Sequence, residues 1–181
     1  MSISNAFKHF KTITHHRHLV MKYCFKIGLV KQGLAHDLSK YSWAEFSTGV
    51  RFYQGDRSPN DMERRTLGYS VAWLHHKGRN KHHYEYWTDY VIKNGKGATG
   101  PVPMPRKYIA EMFCDRLAAC HTYHKNDYKD SMALDYYLSS KPRMSIHEDT
   151  AADLEKLLYM SVEKGEEATL AYIKNVYLKE E

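Results

Sequence analysis

Residues 13–28, ITHHRHLVMKYCFKIG, decide how the rest of the chain is read. Leu19, Val20, Tyr23, Cys24 and Ile27 recur at intervals of three and four residues, which places them on one side of an α-helix. The spacing predicts a helix from about Ile13 to Ile27, stopped by Gly28. His16 falls in line with those apolar residues, whereas His15 and His18 share a side with polar neighbours such as Lys22. An imidazole on an inward stripe is the first sign of chemistry in this chain.

Outward from that helix the same period continues, and no stretch shows sustained two-residue alternation between turn dipeptides, so the expected fold is all-α. A second helix, from about Leu29 to Leu38, carries the pair His36-Asp37. The looser stretch that follows contains YQGDRSPND, residues 53–61, a loop after which Asn60 or Asp61 caps a helix running to about His76. HKGRNK, 76–81, breaks that helix, and HHYEYWTDYVIKN, 82–94, reads as the next. Residues 94–105, NGKGATGPVPMP, hold three Gly and three Pro and read as a linker or lid loop. Helices are expected over 106–125 and 131–140, and a C-terminal pair over 150–179 with Gly165 near the joint. Residues 1–140 then form one helical domain, and the helices within 141–181 pack on it.

At 181 residues the chain suffices for one substantial core, and its 43% hydrophobic and 27% charged fractions are those of an ordinary globule. Its unusual entries are 15 Tyr and 12 His. A net charge of +6, with acidic residues interspersed, favours a small anionic partner such as a phosphate ester over a nucleic-acid footprint. Cys24, Cys114 and Cys120 show no C-x-x-C spacing, which argues against a disulfide framework or a thiolate zinc site and suits a reducing compartment. The N-terminal stretch lacks the apolar core of a signal peptide and nowhere do 18 apolar residues run together, so a soluble, cytoplasmic protein without membrane contact is expected.

The same facial test places the remaining ionisable residues. On a helix over 82–94, His83 sides with Trp87, Tyr90 and Val91, while His82 sides with Tyr86 and Asp89, so His83 is favoured inside. His75 and His76 both follow apolar neighbours, and periodicity leaves the two open. Asp115 lies with Met112, Ala118, Ala119 and Thr122, where a lone carboxylate is unfavourable unless a cation compensates it. Imidazoles and carboxylates from several helices, joined by His36-Asp37, point to one or two divalent ions: Fe, Mn, Co, Ni or Zn, or Mg where carboxylate and water dominate. Such ions acidify water and serve phosphate-ester hydrolysis.

HDLSK, 36–40, resembles the His-Asp-x-Gly-Lys stretch of the HD-domain superfamily, with Ser39 in place of glycine, and FCDRLAA, 113–119, resembles that superfamily's aspartate-bearing helix. KQGLAHDLSKYS, 31–42, and YSVAWLHHKGRNKHHYEYW, 69–87, are similar more closely to a bacterial and phage family known only as a domain of unknown function. The superfamily resemblance implies an HD-domain-like helical bundle and a metal-dependent phosphohydrolase acting on a small phosphate ester, for example a nucleotide. It makes His16, His36, Asp37 and Asp115 ligands of a first ion, with Asp37 bridging to a second held by His75 or His76 and His83. Lys40, beside the catalytic Asp37, and Arg79 are the expected phosphate-binding residues, with Lys77 and Lys81 as loop charges. Two rival expectations are an HD-type di-iron oxygenase and a non-catalytic module that stacks nucleic acid on Tyr, Trp and Arg.

Overall fold

The computed structural model describes residues 2–180. The fold is all-α apart from one small hairpin. α1 (Ile3–Lys26) is followed by α2 (Val30–Ala35), a 3-10 turn (Leu38–Tyr41), α3 (Trp43–Arg51), α4 (Pro59–Leu67) and α5 (Val71–Lys77). A second 3-10 turn (Tyr84–Tyr86) leads into strands β1 (Thr88–Lys93) and β2 (Lys96–Pro101). α6 (Arg106–His124), α7 (Met132–Ser140), α8 (Glu148–Lys164) and α9 (Glu166–Asn175) complete the chain.

α6 is the axis of the molecule. Its Ile109, Ala110, Met112, Phe113, Cys114, Leu117 and Ala118 are all buried, so it is covered on nearly every side and lacks the two-faced character of a surface helix. α1 packs along it with Val20, Tyr23, Cys24 and Ile27, the stripe expected from the sequence. α8 and α9 close the same core with Leu154, Leu157, Leu158, Leu170 and Ile173. Full burial of each large aliphatic or aromatic side chain contributes roughly 1.5–3 kcal/mol, so this shared cluster dominates the stability. The C-terminal pair is tied down by polar contacts as well: Glu166 accepts from the Tyr23 hydroxyl at 3.2 Å, and Thr150 Oγ1 accepts the Met104 N–H at 3.0 Å.

Several local expectations are corrected. α1 begins at Ile3, where Ser2 caps it, ten residues before the apolar stripe becomes readable; the added turns expose Ile3, Phe7 and Phe10. The second helix stops at Ala35 rather than Leu38, so His36-Asp37 is not helical. Residues 43–51, read as loose, form α3 around buried Glu45, Gly49 and Val50. The helix expected up to His76 is two, separated at Gly68, whose φ of 83° ends α4, and restarted by Ser70, whose hydroxyl accepts the Trp73 N–H.

The largest correction concerns 82–105. No helix forms over 82–94; Thr88–Lys93 pairs antiparallel with Lys96–Pro101 in the register Thr88–Pro101 to Lys93–Lys96. Asn94 and Gly95 take φ of 53° and 75°, the left-handed pair that suits a tight hairpin, so half of the expected linker is a strand.

Candidate metal centre

Five imidazoles and two carboxylates converge beside α6. His16 of α1, His36, Asp37 and Asp115 of α6 form one group whose ligand atoms lie within 4.8 Å of one another. Asp37, His76 of α5, His82 and His83 form a second group by the same measure, so Asp37 belongs to both. Its two oxygens divide the work. Oδ2 lies 3.6 Å from His16 Nε2 and 3.4 Å from His36 Nε2, while Oδ1 lies 3.2 Å from His76 Nε2 and 3.5 Å from His82 Nε2. Asp115 Oδ1 closes the first group at 2.9 Å from His16 Nε2 and 3.6 Å from His36 Nε2, and His83 Nε2 closes the second at 2.9 Å from His76 Nε2.

These separations are those between neighbouring ligands around one cation. With bonds of about 2.1 Å, octahedral and tetrahedral edges are roughly 3.0 and 3.4 Å. His16 Nε2, His36 Nε2, His82 Nε2 and Asp37 Oδ1 are buried without a hydrogen-bond partner among the described residues. An unpartnered buried polar atom is expensive, and a set aimed at two common points fits a pair of ions held by N and O donors.

The backbone at the centre is unusual. His36 is extended, with ψ of 127°, and Asp37 sits in the left-handed region at φ 54° and ψ 21°. A non-glycine residue there is strained, and its local conformation turns a continuous helix into a corner at which His36 faces the first group and Asp37 reaches both.

A second ring of carboxylates aims the imidazoles. Glu111, one turn before Asp115 on α6, lies 2.9 Å from His36 Nδ1 and 3.2 Å from His82 Nδ1, and is itself held by the Gln32 side-chain amide at 2.7 Å. Glu45 of α3 lies 2.8 Å from His76 Nδ1 and 2.7 Å from His75 Nδ1. An Nδ1–H donated to a carboxylate leaves Nε2 with its lone pair facing inward, the tautomer a metal ligand requires. Ser39 lies 3.2 Å from His76 Nδ1 and accepts from Asn80 Nδ2 at 2.9 Å.

Charge is densely balanced. Burial would raise the Asp37 carboxyl, but His36, Lys40 and His76 outweigh it and hold that group well below the usual range. Burial opposes charge on Asp115 too, and His16 and His36 bring it well below. Glu111, opposed by burial, is drawn down to about 2 by His36 and His82. Conversely, His36 is raised despite its burial by Asp37 and Asp115. His83, with burial acting alongside His82 and His76, is pushed down.

The structure thus brings together His16, His36, Asp37, His76, His83 and Asp115. His75 hydrogen-bonds Glu45 from the partly exposed side and joins neither group, so of the two it is His76 that the structure brings to the candidate centre. His82, assigned to the outer side of a helix that does not form, is 2% exposed and a member of the second group. Lys40 reaches Asp37 Oδ2 with Nζ at 2.5 Å. Arg79 is exposed and donates to the His75 carbonyl at 3.2 Å, away from the convergent atoms. Lys81, also exposed, stands over the rings of Tyr86 and Tyr108. Asn80 is buried and ties Ser39 to the His76 carbonyl. Glu45 and Glu111 went unread. Glu111 carries a signal in the sequence, being one helical turn from Asp115; Glu45 carries none, since its segment shows no clear period.

The family model that spans this centre matches residues 5–160. The chain belongs to DUF5662. That family is of unknown function. No curated protein and no solved structure matches the chain. In this DUF5662 chain the matched segment includes every residue of both ligand groups. No helix among the described residues is long and apolar enough to cross a membrane.

Proposed function

We propose that this DUF5662 protein is a metal-dependent phosphohydrolase of HD type that acts on a small phosphate ester. One observation carries the reading: two four-residue ligand groups share Asp37, and His36, His76 and His82 are each aimed by a buried carboxylate at Nδ1. Asp37 would be shared between two ions, with His16, His36 and Asp115 holding the first and His76, His82 and His83 the second. Bound ions supply an acidified water and countercharge for the phosphate. Lys40 binds a non-bridging oxygen, since its ammonium already stands at the bridging carboxylate, and Asp37 keeps that ammonium charged. Arg79 has no part in this reading. The three cysteines are free and buried, in keeping with the cytoplasm as its compartment.

The test is elemental analysis of protein purified without chelator or metal-affinity tag, followed by phosphate release from a panel of esters. Close to two transition-metal ions per chain and release from at least one ester are expected; His36→Ala and Asp37→Ala lose the ions and keep the helical circular dichroism. Metal-free protein that takes up no ion on reconstitution overturns the proposal. The preponderance of imidazole, five rings to two carboxylates, also suits iron. A coupled-iron EPR signature in aerobically purified protein without ester hydrolysis favours the di-iron oxygenase instead.

A further inference from the structure

A cleft opens beside the centre, lined in part by His9, Lys40, Glu45, Ser58, Asn60 and Tyr123. Two of these residues belong to both places: Lys40 touches Asp37, and Glu45 aims His76. His9 lies two turns before His16 on α1, roughly 10 Å along the axis, and is 6% exposed. None of the described residues hydrogen-bonds its ring nitrogens, and the ring is boxed by Phe46 and Tyr53 at centroid distances of 5.3 and 5.9 Å. Gly49 makes room for it: a Cβ there would fall 2.1 Å from His9 Nε2. Ser58 stands at the N-terminus of α4 and makes no capping hydrogen bond.

We propose that this cleft seats the alcohol portion of the substrate and selects a small, hydroxyl-rich phosphate monoester, a polyol or a single sugar, with His9 hydrogen-bonding the far hydroxyls. The inference rests on the hydrolytic reading of the neighbouring centre and adds the substrate class to it. Charge and the chemistry of the lining carry the choice. Lys40 is the one cation among the described lining residues, enough for one phosphate, while the Glu45 carboxylate on the same wall disfavours a second. Imidazole, hydroxyl, amide and phenol are the other polar groups, which match hydroxyls as neutral donors and acceptors.

The test measures equilibrium binding and phosphate release together on the metal-loaded full chain. Its probes are glycerol phosphate, pentose 5-phosphates, hexose 6-phosphates, nucleoside 5′-monophosphates and nucleoside triphosphates. Polyol or sugar phosphates are expected to bind at least tenfold more tightly than the nucleotides. His9→Leu is expected to raise their Kd and KM about tenfold with a smaller change in kcat, and His9→Gln to restore most of the affinity, ion content being equal in all three proteins. Equal or tighter binding of nucleotides overturns the inference, as do His9 variants that bind sugar phosphates like the parent. Release without discrimination leaves the hydrolytic reading standing and removes the cleft's role; selective binding without release from any ester does the reverse.

Discussion

Asp37 is the residue on which the centre turns, because a single carboxylate presents one oxygen to each group and its left-handed backbone is what lets it do so. Glu111 acts one step further out. Through its contacts to His36 and His82 it orients one imidazole of each group, so Glu111→Gln is expected to weaken both ions together, by about 10–100-fold in affinity, with the helical content unchanged. Titration with a chelating indicator checks this; loss of one ion alone would show that the two positions are aimed independently. His9 gives the clearest pH effect. Burial, helped by Lys40, lowers it from 6.5 to about 4, so the folded state holds it neutral while the unfolded chain takes up a proton below 6.5. Its contribution is therefore intact above pH 6.5 and lost as pH falls toward 4, on the order of 3 kcal/mol in all. Urea unfolding of the parent and of His9→Gln at pH 7.5 and pH 4 is expected to show the parent losing more stability by that margin.

At the scale of elements, α6 ties the candidate centre to the core. It supplies Glu111 and Asp115 on one side and Phe113 and Leu117 to the core, so the ligands ride on the best-packed helix. Leu117→Ala is expected to lower unfolding free energy by about 2–5 kcal/mol in denaturant titrations, since the side chain is fully buried. The hairpin is the opposite case. Tyr90 and Ile92 are exposed, and Val102 N–H donates to the Trp87 carbonyl at 3.0 Å, so the two ends of the excursion already meet. Replacing residues 88–101 with a short glycine linker should leave ion content and far-ultraviolet circular dichroism of the helices unaltered. A loss of ions would mean that the strands, and not only the segment before them, hold His82 and His83 in place.

For the whole molecule, the candidate centre joins α1, α5, α6 and the corner after α2, elements far apart in the chain, so ions bound there would brace the fold. A ligand that binds only the native state at a hundred times its Kd adds about 2.7 kcal/mol. For a chain of this size the expected rise in Tm on metal loading is about 5–10 °C, reversed by chelation. Differential scanning calorimetry of loaded, stripped and reloaded protein checks it, and His36→Ala should show no rise.

The sequence alone determined the helical class, the inward stripe of α1, the central helix over 106–124 and the C-terminal pair, because an apolar period of 3.6 residues is a local property that burial converts directly into a helix face. It also singled out His16, His36, Asp37 and Asp115, each judged by its neighbours or by a short motif. The hairpin was legible in Asn94-Gly95 but hidden by the aromatic and apolar residues before it, which suit a helix face as well as a strand. Only the tertiary structure separated His76 from His75, brought in His82, and recruited Glu45 and Glu111. Those choices depend on which side chain meets which across helices distant in sequence, and on a corner at Asp37 that no periodic pattern encodes.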